Sequence, residues 1–139
     1  MSSILDELCS YLDAQNAAFI FDTATGRNTF CGTYPDEPHD LTALLGMVGS
    51  NVTAQRDVKE LTFPRFQLVV RDQDYEQGAI RYRLARSILH GMIGVELSTL
   101  KVLRCHAEQE GGPIGQDDQG RYEFAGNFVA EYYEIPEAP

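Results

Sequence analysis

The feature that most constrains the fold of this chain is residues 121–135 (RYEFAGNFVAEYYEI), in which apolar and aromatic side chains recur mainly at even positions. Such alternation indicates a β-strand, because successive side chains of a strand point to opposite faces of the sheet. The side chains that share one face are Tyr122, Phe124, Phe128, Ala130 and Tyr132. Residues 99–110 (TLKVLRCHAEQE) predict another long strand, so the glycine-rich segment 111–120 predicts the turn of a long C-terminal hairpin.

Two segments carry helical patterns. Residues 3–14 begin with the sequence Ser3-Ile-Leu-Asp6, which has the form of a capping box. The apolar face of this helix comprises Ile4, Leu5, Leu8, Cys9 and Leu12. Asp74 is placed to cap a second helix over residues 74–92. The stripe expected to face the sheet comprises Ile80, Leu84, Ile88 and Met92.

Strands are predicted in the segment between these two helices. Residues 17–22 and 29–34 predict strands, and residues 41–49 predict a strand with a helical turn as the alternative. Residues 50–61 are polar and predict a connection, whereas residues 63–71 alternate as a strand does. The core-facing side chains of that strand are Phe66, Leu68 and Val70. This order predicts an α+β fold: two helices packed on a mostly antiparallel sheet with a long C-terminal hairpin.

Size and charge restrict the possible classes of protein. The 139 residues fit a single domain over 1–139, with residues 135–139 as a loose tail. A formal net charge of −10 argues against a general nucleic-acid binder, which needs a basic surface. The N-terminal residues lack the features of a signal peptide, and no apolar run is long enough to span a bilayer. We therefore expect a protein made in the cytoplasm that does not enter a membrane.

The glycine-rich stretch 111–128 (GGPIGQDDQGRYEFAGNF) is the first candidate for chemistry. A phosphate-binding loop leads into a helix N-terminus, but this one leads into a predicted strand. Asp117 and Asp118 lack the spacing of a calcium loop and have no histidine at a regular offset. The pattern favours a plain hairpin turn in which Gly120 adopts positive φ.

Cysteine and histidine chemistry is the second candidate. Cys105 and His106 are neighbours on a predicted strand, so their side chains point to opposite faces and cannot pair directly. Cys9 lies on the apolar face of the first helix, whereas Cys31 remains free to meet a histidine. Acidic residues are abundant, but no carboxylate pair stands out. We predict three reduced thiols and no catalytic, cofactor or metal site.

A basic stripe on the second helix is the third candidate. Arg83, Arg86 and His90 recur at intervals of three and four residues and share one face. This face is either solvated or a contact surface for acidic loops, including loops of another copy of the chain. Two acidic segments, PDEPHD and GQDDQG, are placed at predicted turns. The candidate assembly interface therefore comprises Arg83, Arg86, His90, Asp36, Glu37, Asp117 and Asp118.

Three stretches in order resemble the tail terminator, or tail-completion, proteins of long-tailed bacteriophages, including those described as phage minor capsid proteins. They are the Pro-Asp-Glu-Pro loop and apolar strand at 32–49, the proline-led strand at 63–78, and the loop and strand at 111–128. The resemblance extends over residues 4–134. In the last stretch the matching residues are Gly115, Asp117, Gly120, Arg121, Glu123, Phe124, Asn127 and Phe128.

The resemblance implies a non-enzymatic virion protein, located in the tail or neck and assembled in the cytoplasm of the host bacterium. Its subunits would form a homo-oligomeric ring, usually a hexamer, that binds the tail-tube protein and ends tube polymerisation. The ring would offer a docking face to the head connector or neck protein, and genome DNA would pass its acidic lumen without specific binding. The alternatives are a head-completion or head-to-tail joining protein, a small cytosolic enzyme, or a generic binding module.

Overall fold

The computed structural model describes residues 3–23, 25–47, 52–56 and 59–135. Within these ranges, two helices pack on a sheet of nine strands and on each other. The elements in chain order are α1 (Ile4–Gln15), β1 (Thr29–Cys31), β2 (Leu41–Gly46), β3 (Val52–Arg56), β4 (Lys59–Phe63), β5 (Arg65–Asp72), α2 (Tyr75–Leu89), β6 (Met92–Glu96), β7 (Leu100–Ala107), β8 (Gly112–Gln116) and β9 (Tyr122–Glu134). Every described strand pair is antiparallel except β1 with β2, which confirms the predicted α+β class.

The long strand β9 organises the sheet. Its 13 residues, about 43 Å of chain at about 3.3 Å per residue, pair with β5 and with both β7 and β8. The prediction that residues 111–120 form only a turn is therefore incomplete, because Gly112–Gln116 is itself a strand paired with the start of β9. The turn is confined to the few residues that follow, and it places Arg121 at the entrance of β9.

Residues 50–61 were predicted to be a polar connection. That prediction is wrong for residues 52–56 and 59–61, which the structure describes as strands. There β3 and β4 form an antiparallel hairpin, and β4 meets β9 at Thr62 opposite Tyr132. Strand formation here depends on main-chain pairing with neighbouring strands, which a polar sequence does not reveal. Residues 50–51 and 57–58 of the predicted connection lie outside the described residues.

Residues 17–22, predicted as a buried strand, do not join the sheet. Their backbone N–H groups are bound instead by polar side chains of neighbouring segments. Asp13 Oδ2 accepts hydrogen bonds from the backbone of Phe21 at 2.8 Å and of Asp22 at 2.9 Å, and Asn28 Oδ1 accepts from Ile20 at 2.8 Å. Because these donors are already satisfied, the segment needs no partner strand.

Helix α1 confirms its prediction. The hydroxyl of Ser3 caps it by accepting from the backbone N–H of Asp6 at 3.1 Å. Of its predicted apolar face, the buried residues are Ile4, Leu8, Cys9 and Leu12. The sequence did not predict that Glu7 is also buried, where its carboxylate accepts a hydrogen bond from the backbone N–H of Thr99 at 2.8 Å. This contact ties α1 to the turn between β6 and β7.

Helix α2 begins as predicted but ends earlier, and its predicted core-facing stripe is correct at Leu84, Ile88 and Met92 but wrong at Ile80. Asp74 caps it, yet the last helical residue is Leu89, and Met92 begins β6. The residues that α2 buries are Gly78, Tyr82, Ala85 and Leu89. Ile80, predicted to face the sheet, is 52% exposed. The reason is Gly78, which lies so close to Phe124 that an added Cβ would be 2.6 Å from its ring, so this face approaches the sheet most closely.

The core lies between the helices and the sheet. The three predicted core residues of β5, Phe66, Leu68 and Val70, are fully buried, which confirms the period-2 interpretation. The Phe66 ring stacks on Phe128 of β9 with centroids 5.5 Å apart. Phe124 is 1% exposed, so the predicted inner face of β9 is also correct.

Candidate assembly interface

The two arginines of the predicted basic stripe project from α2 toward the start of the β8 hairpin. Arg83 is exposed and Arg86 is half-buried, and in the part of the chain that the structure describes neither forms an ion pair. The Nε atom of Arg86 is buried without a hydrogen-bond acceptor. A buried donor without a partner is unfavourable within the fold; what this face of α2 offers to another molecule is the positive charge of Arg83 and Arg86, with which no described carboxylate pairs.

Beside these arginines lies a groove of about 440 Å³ between α2 and the chain that leads into β8, which we call the α2–β8 groove. Its floor is aromatic, formed by Tyr82 and Phe124, whose rings stack with centroids 6.2 Å apart. The Tyr82 hydroxyl donates to the backbone carbonyl of Glu110 at 3.2 Å. A Cβ built at Gly111 or Gly126 would lie 2.1 Å from that hydroxyl. Only glycine fits on both sides, so the floor is rigid.

His90, the third member of the stripe, is the C-cap of α2. Its Nδ1 accepts a hydrogen bond from the backbone N–H of Ala107 at 2.9 Å. This bond joins the end of the helix to the end of β7. His90 is exposed, but one ring nitrogen already has a structural partner.

The glycine-rich stretch forms a hairpin turn between β8 and β9, as predicted. Asp117 Oδ1 accepts hydrogen bonds from the backbone N–H of Gln119 at 3.0 Å and of Arg121 at 2.9 Å. Gly120 has φ of 76°, a conformation that glycine adopts without steric cost. Both Asp117 and Gly120 therefore shape the backbone of the turn.

A buried arginine joins this turn to the acidic loop 34–40. Arg121 is 4% exposed, and its Nε donates to Asp117 Oδ2 at 2.6 Å. Its Nη2 donates to Asp36 Oδ1 at 2.9 Å, and its Nη1 donates to the backbone carbonyl of Asp36 at 2.8 Å. One guanidinium thus holds both acidic segments of the predicted interface within a single chain.

A second buried arginine, Arg71, donates hydrogen bonds to the main chain of the same loop. Arg71, at 2% exposed, donates from Nε to the carbonyl of His39 at 3.0 Å and from Nη2 to those of Asp36 and Pro38 at 3.1 and 2.6 Å. Its guanidinium also lies over the ring of Tyr34, 4.9 Å from the centroid. Main-chain carbonyls thus satisfy this buried charge, and the loop is fixed at several points.

The three stretches that carry the family resemblance meet at this place. Tyr34, from the first, donates its hydroxyl proton to the carboxylate of Glu123, from the third. Tyr75, which opens α2 in the second, packs against Tyr122 and Phe124 of the third, with ring centroids 5.4 and 5.3 Å away. The residues of these three stretches therefore pack together into one surface and do not form a reactive site.

Electrostatics within this surface agree with the geometry. A hydrogen bond from Arg121 lowers the pKa of Asp36 below its ordinary value. Burial disfavours the ionised form of Asp117, but hydrogen bonds from the backbone and guanidinium of Arg121 outweigh it, so the pKa of Asp117 is also lowered. Burial, followed by the hydrogen bond to Glu123, raises the pKa of Tyr34. Both aspartates are ionised at neutral pH.

The predicted interface acids therefore divide into two kinds. Asp36 and Asp117 are bound to Arg121, whereas Glu37 and Asp118 are exposed and form no ion pair among the residues described. We use the name acidic rim for loop 34–40 together with turn 117–121. Of the four predicted interface acids, Glu37 and Asp118 are the two that remain available to another molecule.

The described residues contain no arrangement suited to catalysis by cysteine or by metal. Cys105 is buried and His106 is exposed on the opposite face, as predicted. The thiol of Cys31 lies 2.6 Å from Asp6 Oδ1 and beside Cys9, so its described neighbours are a carboxylate and a thiol and not a histidine. Over the described ranges no cluster of three or more His, Cys, Asp or Glu side chains is suited to a metal ion. Neither described helix has the length and hydropathy required to cross a membrane.

Sequence reasoning missed the roles of Arg71 and Arg121. Both belong to the stretches that resemble the family. An arginine near the end of a predicted strand is nevertheless expected to be exposed to solvent unless the loop that it contacts is known. A local signal did exist, since Asp117 lies four residues before Arg121 across a turn. Asp36 is 85 residues away in sequence, and that contact has no local signal.

Comparisons with known proteins agree with this picture. A family profile described as "Bacteriophage tail terminator protein" matches residues 11–134. No curated protein matches the chain. A chain in a solved structure titled "Virion of native gene transfer agent (GTA) particle" is 12% identical, with a TM-score of 0.61 over 96% of this chain and 100% of that one. At this identity the similarity establishes a shared fold.

Proposed function

Because the chain belongs to the bacteriophage tail terminator family, we propose that residues 1–139 act as one tail-terminator-like domain that caps the tail tube. Copies of the chain form a ring, a hexamer, that binds the last layer of tail-tube protein and stops its polymerisation. The opposite side of the ring docks the head connector or neck protein. Assembly takes place in the cytoplasm of the host bacterium, and the finished ring lies between tail and head.

The family consists of structural virion proteins, which confirms the prediction that the chain is not an enzyme. The observation that carries the finer proposal is the acidic rim, because buried Arg71 and Arg121 immobilise an exposed loop that has no chemistry of its own. A capping protein needs such a preformed contact surface, since ordering a loop on binding costs free energy.

The contact residues are assigned within this proposal. Arg83, Arg86 and His90 lie on one assembly surface, and the acidic rim supplies the other. Glu37 and Asp118 make its contacts, while Asp36 and Asp117 hold the rim in place through Arg121. The net charge of −10 suits a lumen through which DNA slides, because acidic walls repel phosphates.

The test is removal of the gene from the particle-producing genome, followed by electron microscopy of the lysate. A tail terminator predicts tubes of uncontrolled length without heads, and supply of the wild-type chain from a plasmid should restore tails of one length. Tubes of normal length that fail to join heads would instead identify a head-completion protein. Localisation of the tagged chain to the tube end of purified particles provides an independent measurement.

A further inference from the structure

We propose that the acidic loop 34–40 of one copy docks into the α2–β8 groove of the neighbouring copy, with Glu37 facing Arg83 and Arg86. This inference rests on the proposed ring, which needs a repeated contact between copies. It specifies the two surfaces that form this contact.

The groove has the features of a recognition site for an acidic loop. Arg83 and Arg86 contribute two positive charges, while Glu110 on the facing wall contributes one negative charge and forms no ion pair with them in the described chain. The floor beneath is rigid and aromatic, so a docking loop gains apolar contact as well as charge pairing.

The loop has complementary features. Glu37 is exposed and free of ion pairs in the described structure, and the prolines on either side of it, Pro35 and Pro38, restrict the backbone. Arg71 and Arg121 hold the loop beneath Glu37 by four hydrogen bonds to main-chain carbonyls of Asp36, Pro38 and His39 and one to the Asp36 carboxylate. The loop is thus prepared for binding, and little conformational entropy is lost when it docks.

The two surfaces belong to different parts of the chain, so the contact between copies is heterologous. Each copy offers one loop and one groove, and repetition of such a contact closes into a ring when its rotation permits. The loop is fixed on Arg71 and Arg121 of its own chain, where Glu37 does not reach Arg83 or Arg86. The groove is therefore left for a second copy.

The experiment uses charge reversal and mixing in a strain whose own gene has been removed. One variant carries Arg83→Glu and Arg86→Glu, and the other carries Glu37→Arg. Each alone places like charges in every contact, so we expect about tenfold fewer head-joined tails of normal length. Produced together, the variants can alternate around an even-numbered ring and pair opposite charges at every contact. Tailed particles should then recover to within about threefold of wild type.

Controls separate folding and function from the contact itself. Each purified variant should melt close to the wild-type temperature, because Glu37 and Arg83 are exposed, Arg86 is half-buried, and none of the three forms an ion pair within the described chain. The Arg83→Lys, Arg86→Lys variant keeps both charges and should assemble. Normal assembly by either reversed variant alone, or loss of assembly that mixing does not restore, would overturn the proposal. Failure of the tail terminator function itself is distinguishable, since removal of the gene would then leave tail length unchanged.

Discussion

Arg121 donates from Nε to Asp117 Oδ2 at 2.6 Å, and the two residues are joined across the turn between β8 and β9. This bond orients the guanidinium so that its other two nitrogens face the main chain and carboxylate of Asp36. A local contact inside one hairpin therefore fixes a loop that is distant in sequence.

Replacement of Arg121 by methionine should destabilise the protein, because it removes the bonds that join loop 34–40 to the hairpin and leaves two aspartates without their partner. The matched control is Arg104→Met, since Arg104 forms a single ion pair with Glu131 and its side chain is 67% exposed. Surface pairs of this kind contribute about 0 to 1 kcal/mol. Chemical denaturation should give a clearly larger loss for Arg121→Met, and equal losses would contradict a structural role for the cluster.

The same cluster predicts how stability depends on pH. The folded-state pKa values of Asp36 and Asp117 lie below the ordinary value of 3.8. Groups of this kind stabilise the folded state above pH 3.8, and that contribution is lost as pH falls through the lower folded values. The melting temperature of wild type should therefore exceed that of Arg121→Met by a constant amount near neutral pH. Below about pH 4 the difference should shrink, and a difference that grows on acidification would refute this account.

Packing at Gly78 predicts an unusual response to a helix-favouring change. Alanine in a helix is normally more stable than glycine by about 1 kcal/mol, but a Cβ at Gly78 would lie 2.6 Å from Phe124 Cε1 and 3.0 Å from Asp72 Cβ. We expect Gly78→Ala to lower the free energy of unfolding by about 1 to 3 kcal/mol through overpacking. Gly46→Ala is the control, because its Cβ would meet only Leu5 Cδ1 at 3.9 Å. A stabilised Gly78→Ala protein would show that α2 packs elsewhere.

Much of the fold could be predicted from the sequence where the signal is local. The cap of α1 at Ser3, the inward face of β5 and the alternation of β9 depend on neighbouring residues, and all three are confirmed. The predicted stripe of α2 was wrong only at Ile80, because the face that approaches the sheet most closely is marked by Gly78 and not by a larger apolar residue. The β3–β4 hairpin was missed because main-chain pairing joins its strands, and a polar sequence does not reveal such pairing.

The sequence predicted which residues belong to the candidate site but not which of them contact one another. Sequence spacing placed Arg83 and Arg86 on one helix face, and the structure leaves both without an ion pair in the part of the chain it describes. The two acidic segments of the sequence also predicted Asp36 and Asp117 as residues of the interface. The sequence did not reveal that Arg121 binds both aspartates, because its contact with Asp36 joins residues 85 positions apart. Long-range ion pairs depend on how strands are arranged, which spacing along the chain does not determine.

The thiols provide the last prediction. Cys9, Cys31 and Cys105 are unpaired, so the denatured, non-reduced protein should give three free thiols. In the native protein we expect iodoacetamide at about pH 8 to modify Cys31 first, because a thiol reacts as the accessible thiolate. Burial raises the pKa of Cys105 to about 12, and the adjacent Cys31 thiol together with burial raises that of Cys9. Peptide mapping should therefore show one modified site before unfolding and three after it, and the Cys31→Ser variant should resist native labelling. Early modification of Cys105 would show that the contact between β6 and β7 opens more readily than its burial implies.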